Sequence, residues 1–569
     1  MPITPEELLE TVPPSPSIYL DIPPSPYGGN VGDMVLPYIS RILMEEDIDE
    51  RFFYQYPDHP ALLRAQQPFA EILNEARNLL SSEGSDIERM NSDSSLQGGC
   101  GSSMFLAGKD DIQSRAIFDA AEVDNNGYQK LEEDGAHEMF EKAMLNSCDL
   151  SGETMEKLHI DMENAEANRR NKKAVRGRQQ GKRGDTVDLR ALLLSCAQEV
   201  AISNHQGAGN LLKQIRQHAS ATGDATQRLA HCFAMGLEAR MAGTGSKVYK
   251  TLVAKQTSAI EFLRGYELFM AACSFRRVAL TFSSMTIFHA MRGKKRLHIV
   301  DYGVHYGCQW PGLLCWLASR DGGPPEVRIT GIDLPQPGFR PAKRIEETGQ
   351  RLSNCARQFG LPFKFHAIAA KWETIRAEDL NIEPDEVLVV NDLFNFNTLM
   401  DESLVTDRPS PRDVVLSTIR GMRPDVFIQG VVNGSSGPFF LARFREALFF
   451  HSSVFDMLDA TTPRESEHRL VLERDMFGQC ALNAIACEGA DRVERPETFK
   501  QWHLRNQRAG LRQLPLRPIV IEVATGKVKS LYHKDFVVDV SQGWLLQGWK
   551  GRILYAHSAW VADDTSSDD

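Results

Sequence analysis

The sequence predicts an α/β protein in which a helical region leads into a doubly wound parallel sheet, behind a long acidic front with no core of its own. Three observations predict it. Amphipathic helical patterns fill the chain from about 186 to 292, and from Arg296 onward short apolar strands alternate with helical segments. Charge is also divided: residues 1–168 hold about 33 Asp and Glu against about 10 Lys and Arg, so a chain of net charge -12 is basic over its remainder.

Residues 1–30 are rich in Pro, Ser and Gly and are expected to be disordered. Val35 to Met44 departs from this, since Leu36, Ile39, Ile42 and Leu43 share one helical face beside the acids from Glu45 to Glu50. Such a segment suits folding on a partner, and a fluctuating helix without a partner is the plain alternative. Pro68 to Leu80 reads the same way, and the chain from Ser81 to Asn168 is polar and acidic. A basic linker follows over 169–185, with Arg169, Arg170, Lys172, Lys173, Arg176, Arg178, Lys182 and Arg183. It cannot bury a core and reads as a nuclear-import signal, with a phosphate-binding patch or a merely solvated linker as the alternatives.

Regular structure is predicted to begin at Asp188, whose carboxylate can accept the first free amides of a helix carrying Leu189, Leu192, Cys196 and Val200 as its apolar stripe. Further helices are expected over Asn210–His218, Thr226–Met241 and Gln256–Cys273. Leu189 to Leu193 also fits Leu-x-x-Leu-Leu, a pattern found more often on a buried helix face than as a docking box. Arg296 to Asp301 is then an apolar strand ending in an acid, and Arg328 to Asp333 repeats it. Phe363–Ile368, Glu386–Asp392 and Val426–Val432 are further strands, separated by helices such as Ala342–Phe359 and Pro411–Met422. That alternation makes a parallel sheet. From Phe536 through Trp544 to Trp560 the chain reads as closing antiparallel strands.

Asp301-Tyr302-Gly303-Val304-His305-Tyr306-Gly307 sits where the first strand turns toward a helix. Nucleotide-type cofactors bind at that crevice, because glycines let the backbone approach the ligand. Methyltransferases of this architecture carry acid-x-Gly-x-Gly-x-Gly there and a second acid at the end of strand two. Asp301, Gly303, Gly307 and Asp333 fit those places, but His305 stands where the central glycine belongs, and its imidazole should intrude on the cofactor. The set is therefore a vestigial pocket, with no cofactor and no catalysis expected.

Nothing else in the sequence offers an active site. There is no Gly-x-Ser-x-Gly elbow and no Gly-x-x-x-x-Gly-Lys loop. The ten cysteines show no Cys-x-x-Cys and no zinc spacing, so Cys308, Cys315, Cys480 and Cys487 are expected as small core residues and no metal is expected. No apolar run approaches the ~20 residues that span a bilayer, and the first residues lack a basic stretch followed by an apolar one. The expectation is a soluble, intracellular, reduced protein without a membrane role.

The ordered motifs resemble the plant GRAS family of transcriptional regulators. Val187 to Leu193 is similar to its first leucine repeat. Leu297-His298-Ile299-Val300-Asp301 with Gln309-Trp310-Pro311 resembles the VHIID motif, and Arg344 to Leu361 the second repeat. Pro438-Phe439-Phe440, Arg443 and Glu446 resemble the PFYRE block. Arg492 to Arg495, with Trp544, Trp549 and Ser558-Ala559-Trp560, resembles the SAW region. Val300, Tyr302 and Phe440 depart from the usual isoleucine, phenylalanine and tyrosine. The long acidic front is similar to that of SCARECROW-like members.

This resemblance implies a GRAS domain over 186–562: a helical cap with the first repeat at 186–292, the VHIID strand region at 293–335, the second repeat at 338–370, the PFYRE region at 386–482 and the SAW region at 485–562. It implies a methyltransferase-like, Rossmann-type core beneath the cap, no enzyme activity, a nuclear location, and transcriptional regulation through DNA-bound transcription factors and through GRAS homo- or hetero-dimers. DNA contact, direct or through a partner, belongs to the same picture. Direct sequence-specific binding is the alternative reading and a small-molecule methyltransferase the third. No recognition-helix signature is present, and the folded part is only slightly basic without its linker. Arg443 and Glu446 are expected to support folding. The segment Gln542–Trp560 is expected to be structural, with Trp560 as an exposed partner anchor the rival reading.

Overall fold

The computed structural model of the chain describes residues 187–254, 259–336, 338–402 and 409–563. The acidic front over 1–168 and the basic linker over 169–185, with its eight candidate import residues, lie outside the described residues.

Helices come first: α1 (Leu189–Ala201), α2 (His205–His218), α3 (Ala225–Met241), α4 (Gly245–Ala254), α5 (Ala259–Ala272) and α6 (Ser274–Ala290). Asp188 caps α1 as its position predicts, its carboxylate accepting from the amides of Arg190 and Ala191 at 3.0 and 3.1 Å. The stripe of α1 is rotated from the predicted one. Leu189, Leu193, Cys196 and Ala197 are buried, while Leu192 and Val200 are only half-buried against the core. Leu189 and Leu193 therefore lie on a buried face, as the plain reading of the Leu-x-x-Leu-Leu pattern holds. Where one helix over Gln256–Cys273 is expected, the chain forms α5, and α4 and α6 fall in the stretch expected to be helical to about 292, without bounds of their own.

Then the sheet begins. β1 (Arg296–Tyr302), α7 (Trp310–Ala318), β2 (Glu326–Asp333), α8 (Lys343–Gln358), β3 (Phe363–Ala369), β4 (Val387–Leu393), α9 (Pro411–Met422) and β5 (Val426–Val432) follow one another. After β5 come α10 (Phe440–Thr461), α11 (Glu467–Val471), a π-helical turn over Leu472–Gly478, α12 (Gln479–Ala486) and α13 (Phe499–Arg508). The chain closes with β6 (Leu511–Gln513), α14 (Pro518–Leu531), β7 (Phe536–Ser541), β8 (Trp544–Trp549) and β9 (Arg552–Ala562).

The strand order is β3-β2-β1-β4-β5-β9-β8-β7, with β6 paired to β9. The first five are parallel, and β9 joins β5 antiparallel, placing Trp560 opposite Phe427. This is the doubly wound layout that the alternating pattern predicts. Period-two alternation divides the strand side chains between two layers. Leu297, Ile299 and Val389 face α6, α7 and α14, whereas Val300, Val390 and Phe427 face α9 and α13.

The cap is assembled from two stretches of chain. α3 packs on α10 and α12, α1 on α10, and α5 on α11. α6 belongs elsewhere: it lies on the sheet, against β4, β5, β9 and α14. Phe275, Val278 and Phe282 turn this last helix before 292 toward the strands. A buried ion cluster ties the two stretches of the cap together: Arg228 of α3 pairs with Glu473 of the π turn at 2.6 Å, and Glu473 also pairs with Arg469 at 2.7 Å.

Candidate functional site

The strand order reverses between β1 and β4, so the crevice lies at the carboxyl ends of β1, β2 and β4. Every candidate cofactor residue comes to this place. Gly303 and Gly307 hold φ of 84° and 73°, which glycine adopts without steric cost, and His305 holds φ 47°.

Asp301 is buried, and both carboxylate oxygens are taken, by Asn391 Nδ2 and by Trp310 Nε1, each at 2.8 Å. Burial pushes its pKa up to about 6, although these two hydrogen bonds act against the rise. Gln309 extends the network by donating from Nε2 to Ser283 of α6 and to Asn391 of β4. The Gln309-Trp310-Pro311 motif thus locks the turn after β1 to the strand beside it.

Asp333 is the acid that would hold a ribose. One oxygen accepts from the Leu334 amide at 2.8 Å, and the other meets Arg344 at 2.8 Å and His305 Nδ1 at 3.3 Å. Burial raises its pKa, but His305 and Arg344 outweigh that and hold it below the usual carboxylate value. His305 Nε2 lies 2.9 Å from Asn395 Oδ1, and Asn395 is anchored through Nδ2 to the Tyr302 carbonyl at 2.8 Å. His305 therefore bridges the end of β2 to the loop after β4, straight across the crevice. A Cβ at Gly303 would fall 2.4 Å from Asn395, so the close approach that its glycine permits is already used by this side chain. These residues do not fit a nucleotide-type cofactor: the ribose acid is paired and the glycine approach is filled.

His298 has no access to the crevice. It is buried in β1, with Nδ1 2.9 Å from Glu386 and Nε2 2.8 Å from Thr330, and burial, with Arg328 nearby, lowers its pKa to about 4. It is a neutral stitch between strands. Leu297, Ile299 and Val300 are core, and Trp310 and Pro311 are buried at the start of α7.

The other motifs are largely internal. Arg443 is buried and donates to the carbonyls of Ala484, Pro438 and Gly437 while pairing with Glu488, so it ties the entry of α10 to the end of α12. Phe440 packs on Phe444 and carries the Arg240 guanidinium 3.8 Å above its ring. Two residues of this block contrast with them. Phe439 is 78% exposed, and the Glu446 side chain is 47% exposed and reaches Arg552 only at 3.9 Å. That places Glu446 among residues with little to add to folding. Trp544, Trp549 and Trp560 are all buried, and their indoles donate to His503, Asp456 and Ser558. Trp560 is thus no exposed anchor; Ser558 and Ala559 are buried beside it.

Reading the sequence missed Asn391, Asn395 and Arg344 as partners in the crevice. The usable signal was the break from Val387–Val390 to Asn391-Asp392 at the end of an otherwise apolar strand, where buried polar groups need partners. Cys308 and Cys480 have thiols pushed up by burial, and the described cysteines are all free. Among the described residues no group of three or more His, Cys, Asp or Glu is placed to hold a metal ion, and no helix is long and apolar enough to cross a membrane.

The model of the GRAS domain family matches residues 189–561. Scarecrow-like protein 9 of Arabidopsis thaliana is 53% identical over 383 residues, 67% of this chain and 53% of the relative. Scarecrow-like protein 30 of the same plant is 38% identical over 551 residues, covering 94% of this chain and 91% of its own length. Thus the chain spans about half of some relatives and nearly all of another. The crystal structure of SCL7 from Oryza sativa superposes with a TM-score of 0.57 at 29% identity, over 66% of this chain and 100% of that one.

Proposed function

The chain belongs to the GRAS domain family, and from that premise we propose that it is a plant nuclear transcriptional regulator that works through contacts with DNA-bound transcription factors and with other GRAS chains. One observation carries the choice of contacts over chemistry. The crevice where a cofactor would lie is spanned by His305, from Asp333 to Asn395. A fold of this type whose cofactor-contacting groups at the switch point are taken up by its own side chains keeps the scaffold without the reaction, which supports reading it as a regulator rather than an enzyme.

The basic linker over 169–185 supplies the import signal in this reading. Replacing Arg169, Arg170, Lys172, Lys173, Lys182 and Arg183 with Ala shifts a tagged full-length chain toward the cytoplasm. Unchanged nuclear accumulation removes the linker from the account. The mode of action is tested with the purified full-length chain on immobilised promoter DNA at graded salt. Retention only when a transcription factor is added supports action through partners. Sequence-specific retention of the chain alone, falling with salt as phosphate contacts require, establishes direct DNA binding instead.

A further inference from the structure

Above the bridged crevice the cap leaves a cavity of about 940 Å³, within the ~300–1,000 Å³ typical of small-molecule sites. Its walls come from the turn after β1, the loops after β4 and β5, α10, the π-helical turn and β9. Phe269, Phe275, Phe394, Phe450 and Phe477 make much of the surface apolar. π turns recur at functional sites because they re-aim side chains that a regular helix would place elsewhere.

Three guanidiniums line this space, and they are not alike. Arg344 is paired with Asp333, and Arg443 with Glu488. Arg276 has no carboxylate at ion-pair distance among the described residues. It is in hydrogen-bond contact with the Tyr266 hydroxyl and lies 5.9 Å from the Phe394 ring centre, and its Nε is buried without a hydrogen-bond partner. A partly buried arginine is costly unless an anion meets it, since its charge has left water without compensation. The cavity's own acids do not supply that anion. Glu446 faces Arg552, Glu494 takes hydrogen bonds from Asn397 and Cys480, Asp475 is paired with Arg474, and Asp333 with Arg344.

We propose that this cavity binds an apolar organic acid, whose anionic head pairs with Arg276 and whose body lies against the phenylalanine walls. The guanidinium fork suits a carboxylate or sulfonate in a bidentate pair, and the phenylalanines supply apolar area for the remainder. The inference is independent of how the chain is located or what partners it takes, because it concerns a pocket formed by the folded region alone.

The test uses the full-length chain and two fluorescent probes with the same ring system. 1-Anilinonaphthalene-8-sulfonate carries an anion, and N-phenyl-1-naphthylamine lacks it. Both are expected to bind at one per chain, and decanoate is expected to displace the sulfonate probe. Arg276→Gln should weaken the sulfonate probe about tenfold or more, the loss of one charge-assisted pair, and leave the neutral probe within about twofold. Ala447→Phe, which fills the cavity from α10, should remove both. Arg276→Lys keeps the charge and should fall between; it carries the test if melting shows that Arg276→Gln does not fold. The proposal is overturned by equal loss of both probes in Arg276→Gln, by unchanged sulfonate binding there, by both probes surviving Ala447→Phe, or by no saturable binding to the native chain.

Discussion

The two halves of the sheet are closed by different physics. At the carboxyl ends of β1, β2 and β4, polar side chains satisfy one another: Asp301 takes hydrogen bonds from Asn391 and Trp310, and Asp333 is held by Arg344, His305 and an amide. Across the antiparallel half the closure is mostly apolar, with Trp544, Trp549 and Trp560 buried and the first and last of these stacked edge to face at 6.0 Å. The polar end should therefore respond to pH and to single-atom changes, while the aromatic end should respond to lost volume. Stretches that look equally like interaction motifs in sequence thus do different internal work.

The largest effect tests the aromatic end. Trp560 is fully buried between the β9–β5 ladder and Trp544. Trp560→Ala should cost about 3–5 kcal/mol, a large share of the ~5–15 kcal/mol that holds a domain together. Loss of soluble protein, or a sharply lowered denaturation midpoint, is the expected result. Phe439→Ala, at a side chain 78% exposed, should change stability by less than about 0.5 kcal/mol. A soluble Trp560→Ala chain with a normal midpoint would show that the aromatic closure carries little.

The polar end is broken by pH. Burial lifts Asp301 from 3.8 to about 6 in the folded chain. Between those values the native state binds more protons than the unfolded one, so this group's contribution is fully present below the unfolded value and is lost as pH rises through about 6. The difference is on the order of 3 kcal/mol as an upper bound. Asp333, with its folded value lowered, acts oppositely and only as pH falls into the carboxylate range. Melting temperatures across pH 4 to 7 should therefore show a falling component in the native chain that Asp301→Asn lacks. Parallel profiles would mean that the two hydrogen bonds, not burial, govern this carboxyl.

Arg443 lies between these extremes, a charge used for internal fastening. Arg443→Ala leaves three carbonyls without this donor and Glu488 with Arg240 alone, a loss of about 2–3 kcal/mol given that Glu488 is half-exposed. Glu446→Ala, at a side chain that is 47% exposed, should cost less than about 0.5 kcal/mol. Equal losses from the two variants would show that the block folds as one network.

Much of this was legible in the sequence because it rests on periodicity. Each of the five parallel strands lies within two residues of its predicted bounds, since apolar runs ending in polar residues report burial on both faces. Pro411–Met422 matches at both ends, set by Ser410 as cap and Pro411 at the first turn. The phase of α1 was not legible: Leu192 and Leu193 are both leucine, and only the packing of α1 on α2 and α3 chooses between them. Nor was the layer of α6, because a helical pattern says that a face is buried and not what covers it. His305 shows both limits together. The sequence marked it as an intruder in a glycine position, but its reach to Asn395, ninety residues onward, is a tertiary fact.

His305→Gly should change stability little on balance, because its gain and its loss are opposed, and it asks the sharpest question of the polar end. His305 holds φ 47°, a left-handed conformation costing a non-glycine residue about 1–2 kcal/mol. Against that stand its contacts to Asn395 at 2.9 Å and Asp333 at 3.3 Å, made by a side chain that is 48% exposed. Contacts so open to water are worth roughly 0.5–1 kcal/mol each. Gain and loss offset, and the melting midpoint should move by no more than about 1 kcal/mol equivalent. The substitution nevertheless restores the full glycine pattern after β1. If His305 were the whole obstacle, the variant should bind S-adenosylhomocysteine with one-to-one stoichiometry in a titration calorimeter. No binding is the expected outcome. Asp333 remains paired with Arg344 and the Leu334 amide, and Asn395 stays tied to the Tyr302 carbonyl in the space beside Gly303. The groups that occupy the crevice are then spread over three strands' ends, and a single substitution does not free it.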